Sequence, residues 1–150
     1  MKLASFQEVS QVENIEGADN IVKITVDGHQ LVTQKSNNLQ IGSIVVYFPV
    51  DAMLPKGSSF DWLSSNEVTN KYGWTGYRIT PIKRRGIISD GLCLPLKYFE
   101  ETGMCKILSV VPNDLIDYSN ELKFYSNCNK YPIKKDIDLS EALGVFKYEI

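Results

Sequence analysis

The hydrophobic and polar positions in the first third of the chain predict a β-hairpin. Apolar and polar side chains alternate in residues 21–26, and a second β-forming run follows at residues 31–33. Between them stand Asp27 and Gly28, a dipeptide that favours the positive φ angles of a two-residue turn. Two antiparallel strands joined by this turn are therefore predicted.

Further strands are predicted on both sides of the hairpin. Residues 6–15 are rich in β-formers and predict a long, bent strand, whereas residues 44–48 form a short apolar run typical of a buried strand. Strand character returns in residues 77–82 and 92–94. Roughly five or six strands with turn signals between them predict a small barrel or sandwich.

Two short helices are predicted in the second half of the chain. Pro95 fits the first turn of a helix over residues 95–101. Asp138 and Glu141 match a capping box at the start of a second helix. Gly144 is predicted to end that helix, since glycine readily adopts the left-handed conformation found at helix ends.

A long connection, residues 49–77, separates two of the predicted strands. Prolines, glycines and serines interrupt it, and a connection of this length inside a compact domain is usually functional or mobile. Four aromatic residues lie in or beside it without an obvious core periodicity: Trp62, Tyr72, Trp74 and Tyr77.

Charge is distributed unevenly along the chain. The formal net charge is −2, but residues 68–89 contain five cations and no acidic residue. An acidic protein is not expected to wrap nucleic acid with its whole surface, whereas one focused basic face can still bind a polyanion. The five cations are Lys71, Arg78, Lys83, Arg84 and Arg85.

Aromatic residues alternate with these cations, and the combination predicts a nucleic-acid-binding site. Cationic side chains pair with backbone phosphates, and aromatic faces stack on unpaired bases at about 1–3 kcal/mol per base. A solvated charged loop, with its aromatic rings folded back onto the core, is the alternative interpretation. The predicted binding residues are Lys71, Trp74, Tyr77, Arg78, Lys83, Arg84 and Arg85.

No catalytic, metal or cofactor site is predicted. His29 is the only histidine and directly follows the predicted turn, which leaves little basis for a Ser-His-Asp or Cys-His site. The three cysteines form no C-x-x-C pair and are interpreted as reduced thiols. Phosphate-binding glycine motifs are absent from the sequence. With neither a signal peptide nor a membrane-length apolar run, a cytoplasmic protein without a membrane partner is expected.

Several strings in the sequence together resemble one family. The most specific is KRRGIISDGLCLP at residues 83–95. In order along the chain, the others lie at residues 1–5, 15–21, 26–28, 42–48, 77–79 and 138–149. The chain resembles the N-terminal oligonucleotide-binding (OB) domain of Deinococcus-type ATP-dependent RNA ligases. Two positions, His29 and Asp90, depart from the family pattern, which tends to have an aromatic residue and an amide there.

The resemblance implies a mainly β fold, an OB-like five-stranded barrel with short helices and an additional C-terminal segment. It implies an OB-fold nucleic-acid-binding domain over residues 1–102. Residues 103–135 are predicted to be an insertion of unknown role. Residues 136–150 are predicted to form a capped helix and tail that resemble the linker to a ligase catalytic domain.

In that family a catalytic domain carries a K-x-D-G lysine that accepts AMP, and no lysine of this sequence is followed by x-Asp-Gly. We therefore expect a module that is not an enzyme on its own and that binds RNA or a nicked duplex. A separate ligase catalytic chain, or another protein, is a further candidate partner. The alternative is a protein-interaction or structural subunit derived from an OB fold.

Overall fold

The computed structural model describes residues 2–57, 59–101 and 138–149, in which β-strands are the main secondary structure. Its helices are α1 (Leu96–Glu101) and α2 (Ser140–Leu143), and 3-10 turns cover Lys35–Asn37 and Asp61–Asn66. The strands are β1 (Ser5–Asn14), β2 (Ile21–Val26), β3 (His29–Gln34), β4 (Ile44–Phe48), β5 (Ala52–Pro55), β6 (Glu67–Thr69), β7 (Thr75–Arg78), β8 (Ile82–Arg84), β9 (Ile87–Ser89), β10 (Leu92–Pro95) and β11 (Phe146–Lys147).

The largest sheet contains five antiparallel strands in the order β10-β4-β1-β2-β3. Its two edge strands, β3 and β10, approach each other. The Asp90 amide, just before β10, donates to the Gln30 carbonyl of β3 at 2.8 Å. Beside this bond, the Val32 amide donates to the Ser89 hydroxyl at 3.0 Å. The sheet is thus curled into a barrel with the strand order of an OB fold, which confirms the predicted fold class.

Strand β1 is the long, bent strand that the sequence predicts. Its first half, from Ser5 to Glu8, pairs with β4, and its second half pairs with β2. The register shifts between Val9 and Gln11, as expected of a β-bulge that bends a strand from one partner to another. One strand therefore belongs to both sides of the barrel.

The predicted hairpin is confirmed as β2 and β3. Asp27 and Gly28 have φ angles of 50° and 76°, the two positive values that a tight turn of this type requires. Val22, Ile24 and Val26 are buried along β2, so the alternation in the sequence identifies the face that points into the barrel.

The connection between β4 and β10 is an ordered substructure. Three of its strands, β5, β6 and β7, join β11 in a second antiparallel sheet with the order β11-β5-β7-β6. Strands β8 and β9 pair as a separate hairpin. This explains why a long, proline- and glycine-rich segment occurs inside a small domain: short strands within it satisfy their own backbone hydrogen bonds.

A single core cluster joins the two sheets and the C-terminal segment. Phe6 and Phe48 of the barrel, Leu54 of the second sheet and Phe60 are all fully buried in it. Leu139, which follows residues 102–137 in the sequence, is also fully buried in this cluster. The segment predicted as a capped helix and tail, residues 136–150, thus contributes to the core of the OB fold through its described part; its resemblance to a linker stays a prediction.

Backbone contacts hold this C-terminal segment to the start of the chain. The Leu139 amide donates to the Ala4 carbonyl at 2.7 Å, and the Ser140 hydroxyl accepts from the Leu3 and Ala4 amides at 3.0 and 3.2 Å. The Asp138 carboxylate accepts from the Ser140 amide at 2.9 Å, and this contact satisfies a free N–H group at the start of α2.

Helix α2 is a single turn, which is shorter than the predicted helix. It ends where the sequence indicates, at Gly144, whose φ angle is 70°. The chain then enters β11, where Phe146 pairs with Met53. The predicted insertion, residues 103–135, lies outside the described residues. Among the helices that the structure describes, none is long and apolar enough to cross a membrane.

The two departures from the family pattern contact each other. Nδ1 of His29 lies 2.8 Å from a carboxylate oxygen of Asp90, and the imidazole stacks on the ring of Tyr47 with centroids 5.4 Å apart. The Tyr47 hydroxyl donates to the Asp90 carbonyl at 2.9 Å. Burial, followed by the nearby Asp90 charge, raises the Tyr47 pKa above its usual value. His29, Tyr47 and Asp90 therefore lie where β3 meets the residues before β10 and the barrel closes.

The placement of Leu139 predicts that residues 138–149 stabilise the barrel. Leu139→Ala should lower the free energy of unfolding by about 2–5 kcal/mol, because it leaves a cavity in the shared core. Ile41→Ala, at a side chain 72% exposed, should change it by less than about 0.5 kcal/mol. Urea denaturation measures both values. A loss below about 1 kcal/mol for Leu139→Ala would show that the segment is not part of the core.

Candidate nucleic-acid interface

The seven predicted binding residues lie on two separate hairpins. Lys71, Trp74, Tyr77 and Arg78 belong to the turn and strand of the β6–β7 hairpin, in the second sheet. Lys83, Arg84 and Arg85 belong to the β8–β9 hairpin. The sequence prediction treated them as one surface, and the structure does not bring them together as one cluster.

Arg78 is held by groups of the protein itself. Its Nε and a terminal nitrogen both lie 2.8 Å from one Asp51 oxygen. The guanidinium also stands over the ring of Tyr148, at 4.2 Å from the ring centroid. A phosphate would have to compete with this carboxylate, so Arg78 is a poor candidate for a phosphate contact.

Lys71 and Trp74 lie on an exposed aromatic surface made of Tyr72, Trp74 and Phe146. The Trp74 ring centroid is 5.2 Å from that of Tyr72 and 4.7 Å from that of Phe146. The Lys71 ammonium lies 5.1 Å from the Tyr72 ring centroid and 3.6 Å from a Glu149 oxygen. Its pKa is raised first by Tyr72 and then by Glu149, so part of its charge is compensated locally.

Tyr77 is a core residue. Only 2% of it is exposed, and its hydroxyl donates a hydrogen bond to the carboxylate of Asp61. That hydrogen bond, followed by burial, raises the Tyr77 pKa to about 12. The ring cannot stack on a base without leaving the core. The alternative interpretation, aromatic rings folded back onto the core, describes this residue.

The β8–β9 hairpin presents its cations differently. Arg85 and Gly86 form its turn with φ angles of 51° and 81°. Paired residues share a face of an antiparallel ladder, so Arg84 lies on the face of its partner Ile87 and of the buried Ser89. Lys83 lies on the opposite face.

No ion pair involves these three hairpin cations within the described part of the chain. Lys83, Arg84 and Arg85 are all exposed. Unlike Arg78 and Lys71, they carry positive charge that no described carboxylate neutralises at contact distance. This difference separates the two hairpins as candidate binding surfaces.

Arg84 lines a groove of about 790 Å³ that we call the basic groove. Its walls include the end of β3, the start of β2, strand β10 and the first turn of α1. Within the described part of the chain, three cations and one carboxylate line it. These charged residues are Lys35, Arg84, Lys97 and Asp19.

Trp62 and Tyr98 add aromatic surface to the basic groove. Trp62 is 52% exposed, although the residues around it are anchored. Phe60 is fully buried and Leu63 packs against the same core. Asp61 accepts from the Gly57 amide at 2.8 Å. With the residues on both sides held inward, the 3-10 turn directs the indole of Trp62 outward into the basic groove.

The indole is also held from the side. Its Nε1–H donates to the Tyr98 hydroxyl at 2.8 Å, and the two rings meet edge to face with centroids 6.3 Å apart. The Tyr98 hydroxyl in turn donates to the Ser59 carbonyl, and burial raises the Tyr98 pKa. An aromatic side chain held in this way loses little conformational freedom on binding.

The sequence prediction missed Lys35, Trp62, Lys97 and Tyr98 as site residues. Trp62 had a local signal, because Phe60 and Leu63 are spaced three residues apart and leave the intervening positions outside. Lys35 and Lys97 had none, since they are brought together only by the fold. Within residues 2–57, 59–101 and 138–149, no three His, Cys, Asp or Glu side chains are grouped to hold a metal ion.

The raised pKa of Tyr77 predicts a loss of stability at alkaline pH. An unfolded tyrosine titrates near 10 and the native Tyr77 near 12, so the folded state holds this proton more tightly. The stabilisation is complete below pH 10 and is lost as the pH rises through about 12. Urea midpoints between pH 9 and 12 should therefore fall less steeply for Tyr77→Phe than for the wild type. Equal slopes in the two proteins would contradict the prediction.

Comparison with known proteins agrees with this fold. The structure of the Naegleria gruberi RNA ligase with pyrophosphate is similar to this chain, with a TM-score of 0.70 and 25% sequence identity. The match covers 100% of this chain and 36% of the ligase. A variant of that ligase with ATP and manganese has a TM-score of 0.69 at 26% identity, over 99% of this chain and 36% of the ligase. An apo variant gives 0.69 at 25% identity, over 99% and 35%.

The chain thus spans about a third of the length of these RNA ligases. No curated protein matches its sequence. A family model described as an OB-fold domain matches residues 3–96, which is well over half of the chain. The match contains all five strands of the barrel. The chain belongs to this family of OB-fold domains.

Proposed function

We propose that this protein is a non-catalytic RNA-binding module that serves an ATP-dependent RNA ligase, and that RNA lies in the basic groove. One observation carries the proposal: Lys35, Arg84 and Lys97 line the groove, and among the residues that the structure describes only one acidic side chain, Asp19, lines it with them. Clefts lined by one sign of charge attract and concentrate ligands of the opposite sign.

The position of the groove in the fold supports this function. OB folds bind oligonucleotides on the face of their second and third strands, between the loops that follow the first and the fourth strand. Here β2 and β3 contribute residues 21 and 32–34 to the groove. The loop after β1 contributes residues 19 and 20, and the connection after β4 contributes Trp62 and Arg84.

The charge of the whole protein fits a local binding site. A net charge of −2 gives no general attraction to nucleic acid, so binding depends on the groove and on the neighbouring Lys83 and Arg85. Because the contacts are mainly to phosphates, affinity should fall steeply with salt, by roughly 0.7 in log K per decade of salt for each single-strand phosphate contact.

The ligase connection rests on structural similarity. Solved structures similar to this chain include RNA ligases, one described with ATP and manganese and one with pyrophosphate. This chain corresponds to about a third of those proteins, and its lysines do not match K-x-D-G. We assign the nucleotide chemistry to a separate catalytic part and RNA positioning to this module.

Charge removal in the groove tests the proposal. The triple variant Lys35→Gln, Arg84→Gln, Lys97→Gln should weaken binding of a single-stranded RNA oligonucleotide by at least about tenfold and lower the salt slope by roughly 2. Fluorescence anisotropy at two salt concentrations measures both quantities. The control triple Lys56→Gln, Lys71→Gln, Lys147→Gln makes the same change in net charge, mostly on the second sheet, and should bind nearly as the wild type does.

A neighbouring pair of variants locates the binding face. Arg84→Gln should weaken RNA binding several-fold, whereas Lys83→Gln, on the opposite face of the same hairpin, should have a smaller effect. The proposal is wrong if both triple variants keep the wild-type affinity and slope. If only the Lys56, Lys71, Lys147 triple loses binding, RNA lies on the aromatic surface instead.

A second candidate function is contact with a protein through the aromatic surface. Trp74, Tyr72 and Phe146 are 48%, 57% and 48% exposed, and contiguous exposed aromatic side chains are typical of protein interfaces. We propose the catalytic part of an RNA ligase as the occupant, because about two-thirds of the similar ligases lies outside the matched region.

Replacement of the aromatic surface tests this contact. Wild-type protein used as bait in its native extract should retain a nucleotidyltransferase with a K-x-D-G motif, identified by mass spectrometry. The variant Trp74→Ser, Phe146→Ser should lose that protein and keep its RNA affinity. Retention of the same nucleotidyltransferase by this variant, with nuclease present, would contradict the second candidate function.

A further inference from the structure

We propose that Trp62 is the platform on which the basic groove stacks one unpaired base, so that the module selects single-stranded RNA over duplex. This inference rests on the proposed function and names the ligand class of the same site. It assigns the part of RNA recognition that does not depend on base sequence to Trp62, which is not one of the seven binding residues predicted from the sequence.

The indole has its polar edge occupied and its face available. Nε1–H already donates to the Tyr98 hydroxyl at 2.8 Å, so the ring has no free donor with which to read a base edge. About half of Trp62 is exposed, and the residue lines the groove together with Arg84 and Lys97. A ring in this state interacts through its π face, which every base can match.

The ring is rigid where a stacking platform needs rigidity. The 3-10 turn that carries Trp62 is anchored by the buried Phe60, and Tyr98 packs against the indole edge to face. Tyr98 is itself fixed by its hydrogen bond to the Ser59 carbonyl. The surface is therefore formed before RNA arrives, and little entropy is lost when a base covers it.

Single-strand selectivity follows from what stacking requires. In a duplex both faces of each base are covered by neighbouring bases, so a side chain reaches a face only if the base is unstacked. Lys35, Arg84 and Lys97, which line the same groove as the ring, can hold the phosphates that neighbour such a base. Charge alone would attract single and double strands alike; the indole face adds affinity only for the strand with a free base.

The second tryptophan provides a control within the same molecule. Trp74 is exposed to a similar degree, 48%, but it packs between Tyr72 and Phe146 and does not line the basic groove. The sequence contains only these two tryptophans. Replacing either one therefore leaves a single tryptophan at a known position.

Tryptophan fluorescence tests the proposal directly. In the Trp74→Phe variant, Trp62 is the only tryptophan, and unlabelled single-stranded RNA should quench its selectively excited emission in a saturable way. In the Trp62→Phe variant, the emission of Trp74 should stay constant during the same titration. A blunt-ended RNA duplex of equal length should quench Trp62 much less.

Affinity measurements provide the second readout. Trp62→Ala should weaken binding of single-stranded RNA by at least about fivefold while changing duplex binding and the salt slope little. Trp62→Phe should keep most of the affinity, because phenylalanine also stacks, and Trp74→Ala should behave as the wild type. Circular dichroism would establish that each variant is folded.

The possible failures are distinguishable. If the Lys35, Arg84, Lys97 triple variant loses RNA binding but Trp62 is not quenched and Trp62→Ala binds normally, the stacking inference is wrong and the proposed function stands. Equal affinity for duplex and single strand would also overturn the inference. If the wild type binds no RNA, both fail.

Discussion

The architecture depends on how the long segment between β4 and β10 is tied back to the barrel. Phe60 places its ring in the core shared by both sheets, with its centroid 5.9 Å from that of Phe48. Next to it, the Asp61 carboxylate accepts from the Gly57 amide and from the Tyr77 hydroxyl. A buried ring and a satisfied carboxylate in adjacent positions fix the segment at its middle, and everything exposed on it, including Trp62, takes its direction from that anchor.

The same segment produces two surfaces of different chemical character. On the second sheet, Asp51 and Glu149 stand against Arg78 and Lys71, so positive charge there contributes to internal cohesion. On the β8–β9 hairpin, no described carboxylate takes that role. Cations only a few residues apart in sequence are therefore not equivalent, because the fold supplies counter-ions to one group and leaves the other to solvent.

Local pattern and composition predicted much of the fold. The turn at Asp27 and Gly28, the bent strand β1 and the end of α2 at Gly144 follow from φ preferences and alternation that act over a few residues. The OB fold itself could be predicted because such signals occur in the family order. The role of residues 138–149 could not, because their burial depends on contacts such as that of Leu139 with Ala4, far apart in sequence.

The binding residues were harder to predict for the same physical reason. Arg78 meets its carboxylate 27 positions earlier, and the partner of Lys71 lies near the other end of the chain. Tyr77 is buried because it pairs with the buried Leu54 in the sheet, a register that its own neighbours do not reveal. Lys35 and Lys97 are far apart in sequence, and only the fold brings them to line one groove, where the Lys97 ammonium donates to the Ser36 carbonyl at 3.3 Å.

The participation of Leu139, Leu143 and Val145 in the core has a consequence for biogenesis. A ribosome makes a chain from its N-terminus at about 5–20 residues per second, so the first strand emerges several seconds before the residues that cover it. Until then, Ala4 and its neighbours lack the backbone partners that Leu139 and Ser140 supply. During that interval the part of the core that these residues cover would be accessible to chaperones or proteases.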